Sequence, residues 1–164
     1  MPLISIDYRL APDNPYPKAL EDCWQAYKWV VSYGEAYFNI TIDKIILVGD
    51  SAGGNLALGV TYLSLIHNVR KPSALFLFYP ALKFHFDYFT PSLLLSVNDV
   101  VLPLHFLKFC VDAYLDKYFN KNDFFLNPLN APLEIIKRLP YTRIFGGSSD
   151  PLRDDIIRFT KILT

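Results

Sequence analysis

The junction that most constrains this chain is KIILVGDSAGGNLAL, residues 44–58. A continuous apolar run over residues 44–49 is the pattern of a strand buried on both faces of a parallel sheet. A helical period follows at once, with Leu56, Val60, Leu63 and Leu65 apolar between Asn55 and His67. A chain that passes from buried strand to helix in so few residues must turn sharply, and the glycines around Ser51 leave room for that reversal. Gly49-Asp50-Ser51-Ala52-Gly53 also fits the G-x-S-x-G pattern, in which the turn strains the serine backbone and exposes its hydroxyl. Ser51 is therefore a candidate nucleophile, with Gly49, Asp50 and Gly53 shaping the elbow. The N–H of Ala52 falls at the helix start, where free N–H groups and the helix dipole favour a developing oxyanion. The bland alternative is a small-residue turn that only packs a helix closely on a strand.

The rest of the chain alternates in the same way. Residues 3–6 are a short β-branched run that predicts a strand, and residues 11–17 form a proline-punctuated loop. From Lys18 the spacing of Ala19, Cys23, Ala26, Tyr27, Val30 and Val31 predicts a helix that Gly34 interrupts. Residues 73–82 predict a third strand closed by Pro80, and residues 141–145 a fourth that runs into Gly146-Gly147. Residues 154–163 predict a final helix. Between them, residues 83–137 break the rhythm with prolines, loops and one amphipathic stretch at 103–118. The expectation is an α/β fold: a mainly parallel sheet flanked by helices, in one domain over 1–164 with a cap-like insertion at 83–137.

Composition narrows the function classes. Hydrophobic residues make up 52% of the chain, which marks a core-forming protein and not a disordered one. The 16 basic residues equal the 16 acidic ones, and no basic stripe occurs, so nucleic acid is not an expected partner. Cys23 and Cys110 lack a CxxC partner or ligand-like neighbours, so no metal is expected, and they read as reduced, buried thiols of a cytoplasmic protein, with a single disulfide as the lesser alternative. MPLISIDYRLAP has no basic leader region, and no apolar run approaches the ~20 residues that span a bilayer.

A serine nucleophile needs an acid and a base. Asp150 lies in a loop after the fourth strand, where the acid of such a fold belongs, although an aspartate before Pro151 also suits a helix start. Chain order on this fold runs serine, acid, histidine. His67, His85 and His105 all precede Asp150, so each reads as a surface or packing histidine.

The blocks IDYRLAPDNPYPKALEDC (6–23), VGDSAGGNLAL (48–58), FYPAL (78–82) and SDPLRDD (149–155), in that order, resemble the hormone-sensitive lipase-like family of α/β-hydrolases. SLLLSVNDVVLPLHFLKFCVDAYL (92–115) carries the same resemblance. It implies a partial α/β-hydrolase fold and a serine esterase or lipase acting on acylglycerols or other lipid esters, with no cofactor. By position, Ser51 matches the family's nucleophile, Asp150 its acid and Ala52 its oxyanion-hole N–H. The family's HGGG segment belongs before YRLAP and its histidine after the acid, so the expectation is a truncated fragment, inactive alone. Phe84, Phe86, Tyr88 and Phe89 would either wall an acyl pocket or belong to the ordinary core, and the complete protein would touch lipid droplets or membrane surfaces peripherally. The competing expectation is a non-catalytic lipid- or protein-binding module that keeps the fold.

Overall fold

Two helix-forming stretches flank the serine junction, and their burial sets the layers. The computed structural model describes residues 2–85, 89–118 and 120–164. Helix α1 spans Lys18–Phe38, and strand β1 (Ile46–Asp50) leads through the turn into helix α2 (Ala52–Ile66). Helix α2 buries residues on every side, including Leu56, Leu58, Val60 and Tyr62, as an all-round apolar helix must. It lies between the sheet and α1.

Strands β2 (Ala74–Phe78) and β3 (Tyr141–Phe145) complete a parallel sheet in the order β1-β2-β3. The register sets Leu47, Leu75 and Thr142 in one row and Gly49, Leu77 and Ile144 in another. These rows face the helices: Leu75 and Leu77 are fully buried in a core with Leu58, Tyr62, Ile156 and Phe159. The intervening rows face the other way, where Val48 is 62% and Tyr141 61% exposed.

Two sequence expectations are corrected here. Residues 3–6 form no strand. A strand exists only through a ladder, and among the described residues no strand pairs with the segment, so Leu3 stays 90% exposed. The segment is anchored further along instead, where the Arg9 guanidinium donates to the Asp22 carboxylate at 2.6 and 2.8 Å. Helix α1, for its part, is not interrupted at Gly34 but runs to Phe38 and ends at Asn39 in the left-handed conformation. Gly34 is buried, and a Cβ there would stand 3.1 Å from Ile42 Cδ1, so its glycine makes room for the chain returning toward β1.

Residues 83–137 contain α3 (Pro91–Leu95), α4 (Leu104–Leu115), a 3-10 turn at Pro128–Asn130 and α5 (Leu133–Ile136); α6 (Arg153–Leu163) follows β3. The Tyr16 and Tyr118 hydroxyls both donate to Asp123 Oδ2, at 2.8 and 2.7 Å, tying the loop before α1 to this segment. Among the described residues, no helix is long and apolar enough to cross a membrane.

Candidate active site

Ser51 follows the last residue of β1 and caps α2 with φ 50° and ψ −117°. That is the conformation of the first central residue of a type II′ turn, which glycine favours and a serine adopts under strain. Its backbone is held on every side. The Ser51 N–H donates to the Phe78 carbonyl at 2.9 Å, and the Ser51 carbonyl accepts from Gly54, Asn55 and Ala81. The strain is thus over-determined by β2's end and by the first turn of α2. Ala52 opens α2, and the first N–H groups of a helix have no acceptor within it.

The space for this turn comes from two glycines. A Cβ on Gly49 would lie 2.3 Å from the Gly53 carbonyl oxygen, and one on Gly54 would lie 2.7 Å from the Pro80 ring. On Gly53 it would meet only Asp50 Oδ1, at 3.9 Å. The G-x-S-x-G pattern names Gly49 and Gly53, but close packing of α2 on the sheet needs Gly49 and Gly54. The run Gly53-Gly54 was the only signal for the second.

Asp150 lies in the loop after β3, at the end of the parallel sheet where Ser51 leaves β1, and the two strands themselves are two spacings, roughly 10 Å, apart. The ends of the strands are laced together: Ser51 to Phe78, then the Tyr79 N–H to the Phe145 carbonyl, with Phe78 and Phe145 stacked at 4.7 Å. The Asp150 carboxylate accepts the Leu152 N–H at 2.8 Å, the bond of an aspartate that shapes the turn leading into α6, whose first flanking residue is Leu152. Burial pushes the Asp150 carboxyl above its ordinary value, the Leu152 N–H opposes the shift, and the Asp99 charge adds to it.

Two of the three histidines have partners of their own. His67 ends α2 and stacks on Trp24 at 5.8 Å, one helix length from Ser51. His85 is buried with Nε2 3.4 Å from the Asn120 carbonyl, and His105 is exposed in the first turn of α4. Of the aromatics expected around an acyl pocket, Phe84 is spent in the core against Tyr114, and Phe89 is half-exposed. Phe86 and Tyr88 lie outside the described residues.

A strained serine between a buried strand and a helix, with a carboxylate beyond a later strand, is the arrangement of one class of proteins. The whole of residues 1–164 matches the family described as alpha/beta hydrolase fold, and the chain belongs to it. Within that class it is 46% identical over 113 residues to the hormone-sensitive lipase of Ictidomys tridecemlineatus, across 69% of this chain and 14% of that protein. It is 33% identical over 168 residues to esterase LipI of Mycobacterium tuberculosis, across 98% of this chain and 49% of the relative. Among solved structures, carboxyl esterase 2 from Tuber melanosporum superposes with a TM-score of 0.88 at 26% identity. That match covers 96% of this chain and 51% of the other. The chain spans about half the length of the two esterases and a smaller share of the lipase.

Proposed function

We propose that the protein is a carboxylic ester hydrolase working through a serine acyl-enzyme. Ser51 attacks the ester carbonyl, the Ala52 N–H stabilises the resulting oxyanion, and Asp150 orients the imidazole that takes the Ser51 proton. The observation that carries this reading is the backbone of Ser51, strained at φ 50° and braced by four hydrogen bonds. A turn that only packed helix on strand would carry glycine there and keep no strain. The hydrogen bond given for the Asp150 carboxylate comes from the Leu152 N–H and not from Ser51, so the acid acts through another group. A third side chain must complete the set; His67 stacks on Trp24, His85 meets the Asn120 carbonyl, and His105 lies exposed on α4. The chain spans about half the length of these esterases, and the base is assigned to none of the three histidines of residues 1–164.

Lipid esters are the proposed substrates, by likeness to a protein named a lipase. The exposed aliphatic side chains of Leu95, Val100 and Val101, at 82%, 97% and 87%, support contact with a lipid surface, and two free thiols support the cytoplasm as its place. The same side chains favour the second reading, a lipid-binding module without catalysis. A fluorophosphonate probe separates the two. Ser51 is expected to label, faster when imidazole is added as a surrogate base, with no label in Ser51→Ala. Absence of label with imidazole, together with retained binding to phosphatidylcholine vesicles, would leave only the binding module.

A further inference from the structure

The loop that carries Asp150 is fastened by a residue far away in the sequence. Ser92, in the first turn of α3, is 4% exposed. Its hydroxyl donates to the Pro151 carbonyl at 2.9 Å and accepts from the Asp154 N–H at 3.3 Å. Its own N–H donates to Asp154 Oδ2 at 2.9 Å. Thr90 Oγ1 lies 3.2 Å from the Ser92 hydroxyl and caps α3 through the Leu93 N–H. Since the Ser92 proton is committed to Pro151, the Thr90 hydroxyl must donate to Ser92.

The Pro151 carbonyl and the Leu152 N–H are two edges of one peptide unit, and a peptide unit is planar with those groups pointing opposite ways. On one edge the unit is held by Ser92, and on the other its N–H holds Asp150 Oδ1 at 2.8 Å. The proline ring fixes the torsion before this plane, so the serine hydroxyl is what fixes the remaining rotation. We infer that Ser92 is a positioning residue for Asp150: it sets the plane of the Pro151–Leu152 peptide and thereby the direction of the carboxylate. The inference rests on the reading of Asp150 as the acid, but its structural step is measurable without any activity.

The experiment compares amide hydrogen exchange and the carboxyl titration of Asp150 by NMR in the 164-residue chain and its variants. In Ser92→Ala the Leu152 amide is expected to exchange about five- to tenfold faster, the loss of one hydrogen bond. The Asp150 midpoint moves further up, because the N–H that lowered it has swung away. Ser92→Thr restores both values. Asp154→Ala removes the carboxylate that accepts the Ser92 N–H, so it loosens the Ser92 amide while Leu152 keeps its protection. Unchanged Leu152 exchange in Ser92→Ala, or an equal rise in Asp154→Ala, overturns the inference. If Ser92→Ala does not fold, the parent chain decides. A scalar coupling must run through the hydrogen bond from the Leu152 nitrogen to Asp150 Cγ, and the Ser92 hydroxyl proton must exchange slowly. Loss of either overturns it too. An intact Leu152 lock with no fluorophosphonate labelling would instead fail the enzymatic reading and leave the positioning step standing.

Discussion

The turn at Ser51 and the loop at Asp150 occupy the same end of one sheet, and they are secured by opposite means. Three of the four hydrogen bonds that brace Ser51 link the turn to β2 or to α2 within about thirty residues, and its room comes from glycines two or three positions away. Asp150 takes one bond from its own loop, while the peptide that supplies it is pinned by a hydroxyl 59 residues earlier in the chain. A local motif can therefore specify a strained serine wherever strand and helix meet closely. A carboxylate in a loop acquires a direction only when distant elements have packed.

The contrast can be attacked first at its rigid end. Gly49→Ala pushes a methyl against the backbone of Gly53 at 2.3 Å. We expect a loss of about 3 kcal/mol in urea unfolding, at the upper end for overpacking. Gly54→Ala meets the Pro80 ring at 2.7 Å, which can yield a little, and should cost about 2 kcal/mol. Gly53→Ala meets nothing closer than 3.9 Å and should change stability by no more than about 0.5 kcal/mol, despite its place in the motif. Equal losses at Gly53 and Gly54 would erase the distinction drawn between them.

The smallest expected effect lies at the Asp150 end and depends on pH. Its folded value is raised above 3.8 by burial, so the folded chain binds the proton more tightly than the unfolded chain does. That contribution is fully present below 3.8 and is lost as the pH rises through the higher folded value. Asp155, also raised by burial, pulls in the same direction. Asp150→Asn should flatten part of this fall in the urea midpoint above 3.8, and Asp155→Asn a further part. A steeper fall in either variant would reverse the assigned sign.

What the sequence made legible follows the same division. The β1–turn–α2 unit could be read from residues 44–67 because its causes are neighbours: apolar run, glycines, apolar helix. Asp150 could be placed by chain order, since it follows a recognisable strand. Ser92 could not, because a serine after Thr90-Pro91 reads only as part of a helix start until α3 is seen against the acid loop. Gly34 misled for a related reason. Glycine weakens a helix by about 1 kcal/mol in isolation, yet here the packing of Ile42 over it outweighs propensity. Residues 3–6 carry strand chemistry, but a strand also needs a neighbour, and pairing is not written in four residues.

The twisted backbone at Ser51 has a further meaning for how such a sequence is maintained. A serine there holds about 1–3 kcal/mol of strain, whereas glycine would hold none and lose about 0.4–1 kcal/mol through its looser unfolded chain. Ser51→Gly should therefore melt at a higher temperature than the parent. Drift toward stability alone would replace this serine with glycine, so the fold's own stability does not account for a hydroxyl at this position.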